Sequence, residues 1–154
     1  MKALLDTSVI VAAQLPAHPD YATASSWLAG AKRKAYQLFV SAHSLAEVYA
    51  VLTRLRAKPK IKGPTAWKLL EENVLSVATV IELSGDQYKQ LLSQAASSGI
   101  VGGATYDAVI AKAAEVAQVD HLVTLNESDF RRVNPAMAGR VVSPHALAPP
   151  HPPS

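Results

Sequence analysis

Short apolar runs alternate with stretches of helical periodicity along most of this chain, and that alternation restricts its fold more than any other feature. Residues 3–5, 36–40, 77–83 and 121–125 form short apolar or β-branched runs, and 141–142 is a weaker fifth. Between them, residues 20–31, 41–56, 65–75, 84–95 and 104–117 carry apolar side chains at helical spacing. Strands that alternate with helices make βαβ units, and these build a parallel sheet covered on both faces. The expectation is an α/β fold: a three-layer α/β/α sandwich with a central, mostly parallel sheet of four to five strands. No internal repeat is visible.

At 154 residues the chain fits one domain with room for a proper core. Residues 1–143 read as that domain, and 144–154, rich in Pro and His, as a disordered tail. The inward stripes are Ala24, Trp27, Leu28 and Ala31; Leu45, Val48, Leu52 and Leu55; and Trp67, Leu70 and Val74. Tyr88, Leu91, Leu92 and Ala95 make a fourth stripe, and Val109, Ile110, Ala113 and Val116 a fifth. There are no cysteines, which removes disulfides and thiolate metal sites. No apolar stretch approaches the roughly 18 residues that span a bilayer. Asp6 also interrupts the start too early for a signal peptide. A cytoplasmic protein is expected.

The opening run ends at Asp6-Thr7-Ser8, and apolar residues then resume at helical spacing through Ala13. Asp6 therefore falls at the carboxyl end of a strand, the edge where ligands bind in open α/β sheets. It is equally an N-cap candidate, although Thr7 or Ser8 could take that part. Three further acids stand in comparable settings: Glu47 and Asp107 on apolar helices without a nearby cation, and Asp129 just after the fourth strand. Taken singly, Glu47 reads as a surface residue and Asp107 as an acid well placed near a helix N-terminus. Taken together, they raise a problem of repulsion. Two unit charges about 4 Å apart cost roughly 4 kcal/mol at an effective dielectric of 20. Converging carboxylates must take up protons or bind a cation. Oxygen ligands without Cys or paired His favour a hard ion, Mg²⁺ or Mn²⁺. Water activated by such an ion, attacking in line at phosphorus, is the natural chemistry.

The charge balance is mildly basic, with 15 Lys and Arg against 12 Asp and Glu. The excess is too small to identify a nucleic-acid binder, but it is clustered at Lys32-Arg33-Lys34, from Arg54 through Arg56 and Lys58 to Lys62, and at Arg131-Arg132. Arg54, Arg56, Lys58, Arg131 and Arg132 are weak candidates for contacts to an RNA backbone. Solvated surface charge explains any one cluster as well. His18, His43, His121, His145 and His151 are scattered and read as surface or packing residues.

Four segments in this order carry a family resemblance: Leu4-Leu5-Asp6-Thr7-Ser8-Val9-Ile10, Ser44-Leu45-Ala46-Glu47-Val48, Tyr106-Asp107-Ala108-Val109-Ile110-Ala111, and Leu122-Val123-Thr124-Leu125-Asn126-Glu127-Ser128-Asp129-Phe130. Each is weak alone, but the ordered set, spanning nearly the whole chain, resembles the PIN domain and in particular the VapC-like toxins of bacterial toxin–antitoxin modules. The resemblance implies a PIN-like fold and a Mg²⁺- or Mn²⁺-dependent endoribonuclease. It implies Asp6, Glu47, Asp107 and Asp129 as catalytic, metal-binding acids, with Thr7, Ser8, Thr124 and Asn126 as supporting polar groups. It also implies a homodimer held inactive by a cognate antitoxin protein. Many members carry an acid two residues after the threonine of the last motif. Here that position is Asn126, and Asp129, three residues on, takes the fourth role.

Two other readings compete. A phosphotransferase with Asp6 as covalent nucleophile would need an acid two residues on, where the chain has Ser8. A non-catalytic RNA- or protein-binding module would keep the fold but has no call for all four acids.

Overall fold

The computed structural model describes residues 1–152. Its five strands are β1 (Lys2–Leu5), β2 (Gln37–Ser41), β3 (Ala78–Ile81), β4 (His121–Val123) and β5 (Val141–Val142), all parallel and ordered β3-β2-β1-β4-β5. The helices are α1 (Thr7–Gln14), α2 (Tyr21–Lys32), α3 (Ala42–Arg54), α4 (Gly63–Leu70), α5 (Gly85–Ser98), α6 (Ala104–Val116) and α7 (Glu127–Val133). A π-helical turn, Glu71–Leu75, continues α4, and a 3-10 turn, Pro135–Arg140, leads into β5. No helix among the described residues is long and apolar enough to cross a membrane.

Side chains of a strand alternate between faces, and here each face has its own core. Ala3 and Leu5 of β1, Leu38 and Val40 of β2 and Val123 of β4 pack with α1 to α4. Leu4 and Leu122 point the other way, toward α6, α7 and Leu91 of α5. β1 is buried on both sides, as the central strand of a parallel sheet must be. The expected three-layer sandwich is therefore present, with five strands.

Local signals account for several boundaries. Ser84 accepts from the Gln87 N–H while the Gln87 side chain accepts from the Ser84 N–H, a reciprocal cap that opens α5. Gly99, at φ +70°, closes α5 in the left-handed conformation that glycine adopts without steric cost.

Other expectations fail for identifiable reasons. Trp67 is 51% exposed, and Tyr88, Leu92 and Val116 are exposed as well. Helical spacing marks a stripe but not the width of the partner that covers it. β3 is a short edge strand, and α5 packs against α6, so only Leu91 and Ala95 of the α5 stripe are buried. The segment after β4, to which spacing assigns no helix, forms α7. Only Phe130 and Val133 are buried there, too few positions to show a period.

The segment from Pro144, set apart by composition as a disordered tail, lies along α2 in the structure. Pro144 is buried, and Leu147 packs on the core beneath α1 and α2. His145 Nε2 stands 2.8 Å from Asp20 Oδ1. A Cβ on Gly30 would meet Pro149 Cβ at 3.2 Å, so glycine permits this close approach. Pro153 and Ser154, the end of that segment, lie outside the described residues.

Candidate active site

The strand order dictates where a crevice can open. From β1 the chain builds outward through β2 to β3, then crosses back to place β4 on the other side of β1. This reversal is a topological switch point, and the space beyond the carboxyl ends of β1 and β4 is the position for a ligand. Leu5 pairs with Val123, so the next residues of the two strands, Asp6 and Thr124, emerge side by side.

Asp6 is 3% exposed and sits at the N-cap of α1. Its Oδ1 accepts from Val9 N–H at 3.2 Å and from Ser8 Oγ at 2.6 Å, and its Oδ2 accepts from Thr124 Oγ at 2.8 Å. The cap and the site are thus the same residue: one oxygen caps the helix while the other turns to β4. Ser8 Oγ also accepts from Leu125 N–H, and Thr124 Oγ from Asn126 N–H, which holds the loop after β4 against α1. Burial pushes the Asp6 carboxyl up to about 6, against the pull of these hydrogen bonds.

Glu47 reaches the same place from the middle of α3. Thr7 Oγ donates to Glu47 Oε2 at 2.7 Å, and His43, one helical turn earlier, brings Nε2 to 3.5 Å from the same oxygen. Asp107 comes from the first turn of α6. Its carboxyl is also pushed up to about 6, first by burial and then by repulsion from Asp6, Asp129 and Glu47, with Arg132 opposing. One electrostatic field therefore links all four acids.

Asp6, Glu47 and Asp107 line a single cleft of about 410 Å³, together with Thr7, Ser8, His18 and Asn126 and the apolar Val11, Val51, Ile110 and Leu125. No lysine or arginine is among the described residues of that lining. Asp129 is not part of it: it lies in the first turn of α7 and is exposed, with Arg132 at 3.5 Å. A larger opening, about 1090 Å³, lies at the opposite end of the strands around Lys2, Gln37 and Asp120, and contains none of these acids.

Among the described residues no group of three or more His, Cys, Asp or Glu side chains is gathered closely enough to hold a metal ion by itself. A hard ion such as Mg²⁺ keeps several waters and binds through one or two carboxylates, so it does not require such a group. The donors are oxygens, and burial raises the Asp6 and Asp107 carboxyls, Asp107 also through repulsion from the other acids, which a cation would relieve. The residues therefore fit such an ion.

The basic candidates divide. Arg54, Arg56 and Lys58 are exposed at the end of α3 and in the loop beyond it. Arg131 is held by Glu127 at 3.0 Å and by the Val141 carbonyl at 3.1 Å, and Arg132 faces Asp129. Sequence reasoning missed His18 and His43, read as ordinary surface or packing residues. For His43 the signal was its position one turn before Glu47 on the same helix face.

The model of the PIN domain family matches residues 3–134. The chain is similar to "Ribonuclease VapC27" of Mycobacterium tuberculosis, 34% identical over 127 residues, covering 82% of this chain and 84% of the relative. Among solved structures, VapBC2 from Rickettsia felis, bound to a DNA fragment from its promoter, superposes with a TM-score of 0.64 at 22% identity, covering 93% of this chain and 98% of that one. VapC20 of M. tuberculosis, described as a sarcin–ricin-loop-cleaving toxin, gives a TM-score of 0.61 at 17% identity, covering 78% and 86%. These two likenesses concern the fold.

Proposed function

The chain belongs to the PIN domain family, and from that premise we propose that it is a divalent-metal-dependent endoribonuclease, the toxin of a toxin–antitoxin pair. The observation that carries the reading is the convergence of Asp6, Glu47 and Asp107, from three separate elements, on one cleft without a lysine or arginine in its described lining. Such a cleft repels a phosphodiester unless a cation enters with it. The ribonuclease name of the similar curated protein supports the substrate class.

Asp6, Glu47 and Asp107 would hold Mg²⁺ or Mn²⁺, with Asp129 contributing from the margin. The ion would supply a lowered water pKa and neutralise phosphate charge. Thr7 keeps the Glu47 carboxylate aimed, and Ser8 and Thr124 that of Asp6, by donating to them, so these two acids are preorganised for substrate. Asn126, on the cleft wall, is placed to hydrogen-bond water or a phosphate oxygen. Arg54, Arg56 and Lys58 would follow the RNA backbone. Arg131 is engaged within the fold and contributes less. A cognate antitoxin protein is the inferred partner, a reading supported by the fold likeness to the VapBC2 assembly. A homodimer in the cytoplasm is the inferred state.

The test is cleavage of a mixed cellular RNA pool by purified protein with Mg²⁺, with Mn²⁺ and with chelator, beside Asp6→Asn and Asp107→Asn. Metal-dependent cuts lost in both variants are expected. Cuts that persist in either variant, or in chelator, would overturn the assignment of these acids. RNA binding without any cutting would favour the non-catalytic module.

A further inference from the structure

Asp107 is preceded on α6 by a side chain that the cleavage chemistry leaves unused. Tyr106 is 52% exposed, although Ala108, Val109 and Ile110 that follow are buried. Its ring lies against His43, with centroids 4.9 Å apart and planes inclined by only 17°. His43 is anchored on α3, its Nε2 buried without a hydrogen bond and directed at Glu47. The stack therefore bridges α3 and α6 at the margin of the acid cleft. With His43 against one face, Tyr106 still keeps about half of its surface open to solvent.

Tyr36 shows what a structural tyrosine looks like in this protein. It is buried, meets Trp27 edge-on at 5.4 Å and donates its hydroxyl to the Trp27 carbonyl. Tyr106 does none of this. It is half exposed, in a position where its ring contributes little to the core.

We propose that Tyr106, backed by His43, is a stacking platform for an unpaired nucleobase of the RNA, on a nucleotide flanking the bond that is cut. The proposal rests on the RNA-cleavage reading above. Aromatic faces hold bases of single strands with little regard to sequence, because every base has a π face. A duplex hides those faces in its own stack, so the platform selects loops and single strands over paired RNA. The stack on His43, whose Nε2 is 3.5 Å from Glu47 Oε2, keeps the held base near the acids. His43 acts through Tyr106, as a positioning residue that fixes the ring plane.

The experiment measures kcat and KM on a short single-stranded RNA containing one cut site of the wild-type protein. Tyr106→Leu keeps apolar bulk without a π face, and Tyr106→Phe keeps the face. Tyr106→Leu is expected to raise KM by roughly 5- to 150-fold with kcat little changed, while Tyr106→Phe stays near wild type. Replacing the flanking base by an abasic site should erase the difference between wild type and Tyr106→Leu. An unchanged KM in Tyr106→Leu, or a penalty that survives abasic replacement on both sides of the cut, would overturn the platform. So would loss of antitoxin binding with RNA kinetics intact, since the face would then belong to the protein partner. If the wild type cuts no RNA, the cleavage reading fails on its own. Stacking is then read from quenching of 2-aminopurine in the same RNA: quenching lost in Tyr106→Leu supports the platform, and equal or absent quenching refutes it.

Discussion

Thr124→Val removes one hydroxyl from the centre of the site while preserving shape. Thr124 Oγ donates to Asp6 Oδ2 at 2.8 Å in a fully buried setting. Burial already holds the Asp6 carboxyl at about 6 against an ordinary value of 3.8. The two-unit difference costs about 3 kcal/mol when the group is ionised at neutral pH. The sign follows from linkage: a folded-state pKa raised above the unfolded one gives stability that is present below pH 4 and lost as pH rises through 6. The Thr124 bond offsets part of that loss, and a hydrogen bond to a charged group contributes roughly 1.5–3 kcal/mol. In chelator at pH 8, Thr124→Val should therefore lower Tm by about 3–12 °C. The bond that Thr124 accepts from Asn126 N–H is lost at either pH, but at pH 5, with Asp6 protonated, the bond to Asp6 is a neutral one worth roughly 0.5–1.5 kcal/mol, and the shift should shrink accordingly. Calorimetric scans of both proteins from pH 5 to pH 8 measure the difference. A penalty independent of pH would refute the charge-assisted bond and, with it, this account of how Asp6 is held ionised.

Asp107→Asn should abolish cleavage yet raise Tm in chelator at pH 8, because it deletes a charge that Asp6, Asp129 and Glu47 repel; a lower Tm would count against mutual repulsion. Adding Mg²⁺ or Mn²⁺ should raise the wild-type Tm more at pH 8 than at pH 5, since ionised carboxylates bind the ion and protonated ones do not. Equal shifts at both pH values, read by thermal scanning, would place binding elsewhere. Arg131→Ala should lower Tm through loss of the Val141 carbonyl and Glu127 contacts while leaving the salt dependence of RNA binding unchanged. The double change Arg56→Ser with Lys58→Ser should do the reverse, flattening the salt slope by about one to two without moving Tm.

Periodicity is a local property, and what depends on it was legible in the sequence. Strand alternation and helical spacing located every strand and the long helices, and the βαβ order implied a parallel sheet. Position drew attention to Asp6 and Asp129, which follow strands, and to Glu47 and Asp107, set among apolar neighbours without a nearby cation. Short elements were harder to see. In α7, two buried positions could not reveal a period, and Trp67 and Leu92 follow a helical stripe that no neighbour covers. The segment from Pro144 was read from its Pro and His content, whereas its contacts are with Asp20 and Gly30, over a hundred residues away.

What only the tertiary structure decided is which residues meet. Asp6 and Thr124 are separated by 118 residues and are joined because β1 and β4 are neighbours in register at the switch point of the sheet. The stack of His43 on Tyr106 arises in the same way, from the approach of α3 to α6. Spacing along a chain determines which face a side chain takes on its own element. Contact between elements is determined by sheet order and helix packing, which depend on the whole core at once. The acids were therefore legible in the sequence as candidates, and the meeting of Asp6, Glu47 and Asp107 at one cleft was decided by the fold.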